Sequence, residues 1–72
     1  MKDDETLREI GRIKKNQRET FVVSEVVRGG TVRIEIRMYE VDGRREFRPT
    51  RHSMRFSHSV LEELQEMLRS AA

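Results

Sequence analysis

Thr31-Val32-Arg33-Ile34-Glu35-Ile36-Arg37-Met38-Tyr39-Glu40-Val41 is the stretch whose reading decides the fold. Val32, Ile34, Ile36 and Met38 share one parity, and Arg33, Glu35, Arg37 and Tyr39 share the other. Successive side chains of a strand point to opposite faces of its sheet. One face is therefore expected to be apolar and buried, and the other to carry charges and one ring. That pattern belongs to a half-buried antiparallel strand, since a strand of a parallel sheet reads as a continuous apolar run.

Working outward, Arg28-Gly29-Gly30 precedes this strand and Asp42-Gly43-Arg44-Arg45 follows it. Adjacent glycines supply the positive φ angles of a tight hairpin turn, and Asp-Gly is a second turn signal. Thr20 to Val27, with Phe21, Val22, Val23, Val26 and Val27, has the β-branched and aromatic content of a strand. Its alternation breaks where Ser24 and Glu25 adjoin, which predicts a bulge. Glu46 to Phe56 reads as a last strand, with Arg51, Ser53 and Arg55 alternating against His52, Met54 and Phe56. Pro49 cannot donate to a ladder, so it marks an edge position or a bend.

The ends read differently. Leu7, Ile10 and Ile13 recur at a helical interval, but Gly11 costs a helix about 1 kcal/mol. A first strand ending near Lys15, with Asn16-Gln17-Arg18 as a turn, is the preferred reading of residues 7–18. Residues 1–8 are expected to be an acidic flexible tail ahead of one domain over residues 9–70. After Phe56 the period changes: Val60, Leu61, Leu64, Met67 and Leu68 form a helical stripe. Ser57 or Ser59 can cap its start, and Ser59 with Glu62 has the spacing of a capping box. Glu62, Glu63 and Glu66 occupy the other side.

The expected fold class is α+β: a curved antiparallel sheet of three to four strands followed by one C-terminal helix. A helix laid on one face leaves the other bare, and that bare face is expected to carry Arg33, Arg37 and Tyr39.

A chain of 72 residues buries only roughly 60% of its unfolded surface. Small scaffolds rely on disulfides, a metal or a partner chain. There is no cysteine, and His52 and His58 form no ligand set, so no metal or cofactor is expected. Self-association is the expected source of extra stability. No stretch approaches the roughly 20 apolar residues of a membrane span, and the acidic start is the reverse of a signal peptide's. A location in the cytoplasm or nucleoid, or in the nucleus of a eukaryote, is expected. Ser57-His58-Ser59 sits at a helix start where serines cap and lacks an oriented acid, so the chain is not expected to be an enzyme.

The net charge of +2 conceals segregation. Residues 10–55 hold twelve Lys/Arg against six Asp/Glu, while both ends are acidic. Twelve of the fifteen basic residues are Arg, whose planar fork matches phosphate and stacks on bases. Single-strand binders combine a basic groove with flat side chains for bases. The candidate phosphate contacts are Arg28, Arg33, Arg37, Arg48, Arg51 and Arg55, with Lys14 and Lys15 at the rim. Tyr39 is the first candidate for base stacking and Phe47 the second, though the preferred reading of Phe47 is core; Phe21 and Phe56 read as core.

The order of elements resembles the positive-cofactor-four transcriptional coactivators and their small bacterial and phage relatives. The likeness runs through Glu9-Ile10-Gly11-Arg12-Ile13, Val32-Arg33-Ile34-Glu35-Ile36-Arg37-Met38-Tyr39, Phe47-Arg48-Pro49-Thr50-Arg51, and Phe56-Ser57 before the Leu-rich helix. The resemblance implies a homodimer whose curved sheets hold single-stranded DNA with little sequence preference. Arg37 and Arg51 match basic positions of the family pattern, and Tyr39 an aromatic one. The chain departs from the pattern at Glu40, where a second aromatic is common, at His52-Ser53-Met54, where Lys-Gly-Ile is usual, and near Val27-Arg28. The expected partners are single-stranded DNA, a second copy of the chain and the transcription machinery. Competing readings are a protein-interaction module docking a basic partner through the acidic tail and helix face, and a β-ribbon binder of duplex DNA or RNA.

Overall fold

The computed structural model describes residues 5–71. Four strands and one helix follow in order: β1 (Glu5–Lys14), β2 (Glu19–Arg28), β3 (Thr31–Val41), β4 (Phe47–Phe56) and α1 (His58–Ala71). The strands form one antiparallel sheet in the order β1-β2-β3-β4. The expected α+β architecture is the one observed. Residues 7–14 are strand, so the helical interval of Leu7, Ile10 and Ile13 is coincidental. β1 begins at Glu5, four residues inside the stretch expected to be a tail; Asp3 and Asp4 lie outside the described residues.

Two turns set the register. Gly29 and Gly30 have φ of 58° and 81°, the pair of positive values that a two-residue hairpin needs to match the twist of its strands. The β2–β3 ladder then runs unbroken from Arg28↔Thr31 to Glu19↔Glu40. No bulge interrupts β2 against β3, contrary to the expectation from Ser24-Glu25. The irregularities between β1 and β2 lie at Thr6/Arg8 and Glu9/Gly11, where β1 gains residues relative to β2. A third lies between Arg37/Tyr39 of β3, where β4 carries the surplus, next to Pro49. Pro49 thus sits on an edge strand at an irregular step, where a missing donor costs least. Extra residues bend a strand and increase its twist. Both edge strands carry such residues, and Arg12 of β1 comes within 4.9 Å of the Phe47 ring of β4, which places the concave side of the sheet on their shared face.

Residues directly opposite in an antiparallel pair share a face, so the registers assign the paired positions; Arg51 has no partner in the β3–β4 register and borders both the inner trough and a hollow of the outer face. The inner face of the bend carries Arg12 of β1, Val22, Ser24 and Val26 of β2, Arg33, Glu35, Arg37 and Tyr39 of β3, and Phe47, Ser53 and Arg55 of β4. The outer face carries Ile13, Phe21, Val23, Val32, Ile34, Ile36, Met38, Met54 and Phe56.

The core is not where the alternation of β3 places it. Val22 and Val26 are only 4% and 3% exposed, and Ser24 and Glu35 are also buried, all on the inner face. Ile34 is the one buried apolar side chain of the outer face among the described residues. The face expected to be bare is therefore the interior of a curl. The aliphatic stems of long charged side chains cover apolar surface while their heads stay in water, and here arginines roof the valines of β2. Conversely, α1 does not cover the sheet. It touches β3 and β4, buries none of its residues, and leaves Val60, Met67 and Leu68 exposed, with Leu61 and Leu64 half-buried. The molecule measures 41 × 39 × 17 Å, a thin plate with α1 packed beside β3 and β4. No helix among the described residues is long and apolar enough to cross a membrane.

Ser57 caps α1: its Oγ accepts from the Val60 amide at 3.3 Å. Ser59 is already helical, so the capping box expected from Ser59 and Glu62 does not form the cap.

Candidate nucleic-acid interface

Curvature turns the inner face into a trough. One stretch of it, about 500 Å³, is walled by Thr6 of β1 on one side and by Pro49, Thr50, Arg51 and Arg55 of β4 on the other, over Glu35, Arg37 and Tyr39. It continues past Val26 and Arg55 to Arg28, Thr31 and Arg33 at the glycine hairpin. Arg33 and Tyr39 are six residues apart on β3, so the trough runs roughly 20 Å at the rise of a strand.

At its centre Glu35 holds two arginines. Arg37 donates from Nε to Oε2 at 3.0 Å and from Nη2 to Oε1 at 3.1 Å. Arg55 donates from Nε to Oε1 at 2.9 Å and approaches the same oxygen through Nη2 at 2.8 Å. Arg37 also donates from Nη1 to the Thr50 carbonyl at 2.7 Å, and the Thr50 hydroxyl donates to the Met38 carbonyl at 2.8 Å. Burial pushes the Glu35 carboxyl up, but hydrogen bonds from Arg37 and Arg55, with their charges, outweigh it and hold the group below the ordinary carboxylate range. A bidentate fork is among the stronger protein hydrogen bonds. The cluster is a cross-strand clasp between β3 and β4 with one positive charge in excess.

Arg33 and Arg51 have no carboxylate partner among the described residues, so their forks are open to a ligand. Arg28 lines the hairpin end of the trough. Lys14 stands opposite Thr20, on the inner face at the end of β1. Lys15 lies beyond β1 and pairs with Glu19 at 3.5 Å. Arg48 stands opposite Glu40, on the outer face, and is held by Asp42 at 2.8 Å and by Glu46. Of the ten candidates, Arg28, Arg33, Arg37, Tyr39, Phe47, Arg51, Arg55 and Lys14 share the trough or its ends, while Arg48 and Lys15 are tied up elsewhere.

The aromatic end is more organised than its sequence separation implies. Tyr39 and Phe47 stack with centroids 4.9 Å apart and planes 21° apart. Phe47 is 39% exposed, a platform side chain more than a core one. Arg12 reaches across from β1 to place its Cζ 4.9 Å from the Phe47 centroid. In a flat sheet β1 and β4 would stand roughly 14 Å apart, so this contact depends on the bend. Glu9 holds Arg12, with Nε to Oε2 at 2.6 Å and Nη2 to Oε1 at 3.2 Å. An exposed ion pair is worth about 0–1 kcal/mol and an exposed cation–π contact about 0.5–1 kcal/mol. A stacked base is worth roughly 1–3 kcal/mol.

Glu9, Arg12, Glu35 and Thr50 are site residues that sequence reasoning did not single out. Once residues 7–14 are strand, Glu9 and Arg12 fall on the inner face only if a residue between them is extra, and no local signal announces that bulge. Glu35 was legible in part, as the one acid between Arg33 and Arg37 on a single parity.

Comparison with protein-family models, with curated proteins and with solved structures finds no match to this chain.

Proposed function

We propose that the inner trough binds single-stranded DNA with little sequence preference, as part of a homodimer serving transcription, replication or repair. The observation that carries the reading is the joining of two chemistries on one concave face. Open guanidinium forks at Arg33, at the hairpin end, and at Arg51, on the β4 wall, flank a trough that ends in the Tyr39–Phe47 stack, of which Phe47 is the exposed ring. Forks take phosphates and rings take bases whatever their sequence, which is the combination that single-strand binders use. The trough offers no projecting helix or ribbon of the kind that reads the major groove of a duplex.

Fluorescence anisotropy with a labelled oligonucleotide of about twenty bases, several times the smallest sites of such proteins, tests this directly. Single strands are expected to bind more tightly than the matching duplex. Affinity is expected to fall with salt by about 0.7 in the logarithmic slope per phosphate contact. Arg33→Ala and Arg51→Ala are each expected to weaken binding, and Arg51→Ala to do so without changing the unfolding midpoint. Equal or tighter binding of the duplex overturns the reading.

A further inference from the structure

The Phe47 ring has two neighbours of unequal firmness. Tyr39 is rooted on the adjoining strand and stacks flat against it. Arg12 arrives from the far edge of the sheet on a long side chain. Among the described residues its one ion-pair tether is Glu9, and both members of that pair are well exposed, 54% and 40%. Each hold on the guanidinium is weaker than a stacked base, and a phosphate competes for the same fork that Glu9 occupies. The group that yields to an incoming base is therefore Arg12 and not Tyr39.

We infer that Arg12 is a nucleic-acid-binding residue that exchanges partners: an unstacked base takes its place against Phe47, and the freed guanidinium turns from Glu9 to a phosphate of the same strand. This rests on the single-strand reading above. Before binding, Arg12 shields an exposed aromatic ring from water. After binding, its charge stays beside the groove, so the displaced contact is replaced by another. Phe47 alone would offer a ring without the cation, and an arginine elsewhere would offer the cation without clearing the ring.

Tyr39 is the single tyrosine of the chain, and there is no tryptophan, so tyrosine emission reports on this stack alone. The wild type, Arg12→Ala and Arg12→Lys are titrated with a thymidine strand of about twenty bases and with an abasic strand of equal length, following emission and anisotropy over a range of salt. The thymidine strand is expected to change Tyr39 emission in the wild type and in Arg12→Ala, and the abasic strand to leave it unchanged. Arg12→Ala is expected to lower the logarithmic salt slope by about 0.7, one single-strand phosphate contact, and Arg12→Lys to restore it. An unchanged slope in Arg12→Ala overturns the inference, because the guanidinium then never reaches phosphate. Loss of the emission change in Arg12→Ala overturns it as well, because the base then rests on the guanidinium itself. An equal response to the abasic strand does the same. All three outcomes leave single-strand binding standing, whereas a wild type that binds neither strand removes that reading and this one together.

Discussion

At the scale of single residues, Glu35 carries the most consequence. It is an acid at the centre of a basic trough, buried and satisfied by two arginines. No buried side-chain polar atom among the described residues lacks a partner. Removing one member of a buried charge cluster leaves the others uncompensated, at a cost of about 3–5 kcal/mol when burial is deep. Arg37 and Arg55 retain about a quarter of their exposure, so Glu35→Gln is expected to cost about 2 kcal/mol near neutral pH, below that range. The pH dependence follows from the sign of the shift. The folded carboxyl lies below its ordinary value, so its stabilisation is present above the unfolded value of about 4.3 and is lost as pH falls through the folded one. The stability gap between the wild type and Glu35→Gln is thus expected to be widest near neutrality and to close in acid. Urea unfolding from about pH 7 to about pH 3 measures it. A gap that stays constant over that span means the carboxylate charge is not what holds the arginines.

At the scale of elements, the β3–β4 connection shows both how much the sequence discloses and where it stops. Asp42-Gly43 marks the turn correctly, and the Asp42 side chain accepts from the Arg44 and Glu46 amides at 2.8 and 3.0 Å. Yet the left-handed residue is Arg45, at φ 64°, and not the glycine. An L-residue there costs roughly 1–2 kcal/mol against glycine, less what glycine loses in chain entropy. Arg45→Gly is therefore expected to raise stability by about 0.5–1 kcal/mol, seen as a higher denaturant midpoint with an unchanged slope. An unchanged or lower midpoint would mean that the Arg45 side chain makes good its strain elsewhere. The same division holds for the other elements. Four strands, a glycine hairpin and a helix were legible because alternation, paired glycines and a helical stripe are local patterns. The burial was not legible. The alternation of β3 gave two faces but not which one curls inward, because curvature comes from extra residues in β1 and β4 that only the partner strand's register exposes. Ser57 rather than Ser59 as the cap is a shift of the same origin, since the helix start is fixed by where β4 ends. The trough arginines were legible as a set, but Arg48 shares the parity of Met54 and Phe56 within β4 and so falls on the opposite face from Arg55.

At the scale of the whole molecule, the folded chain leaves apolar surface uncovered. Val60, Met67 and Leu68 of α1 are exposed, and so are Ile13 and Met54 of the outer face. Phe21, Ile36, Met38 and Met54 line a hollow in that face. The buried apolar set among the described residues is Val22, Val26 and Ile34, too little to balance the conformational entropy of ordering a chain of this length. Surface exposed in this way marks an interaction site, and the homodimer proposed above is the simplest means of covering it. A closed dimer joins the same patch of each copy, so the α1 stripe and the outer face meet their own counterparts and the inner troughs stay open to DNA. Folding is then inseparable from association, and the unfolding midpoint must rise with protein concentration. Wild-type chain is expected to show that rise over a hundredfold dilution series and to sediment as a dimer. Met67→Glu, placed on the most exposed residue of the stripe, at 66%, buries a charge at the interface and is expected to abolish both. A monomer of concentration-independent stability would leave the exposed stripe without a second copy to cover it, and the trough would then have to act as one short groove per molecule.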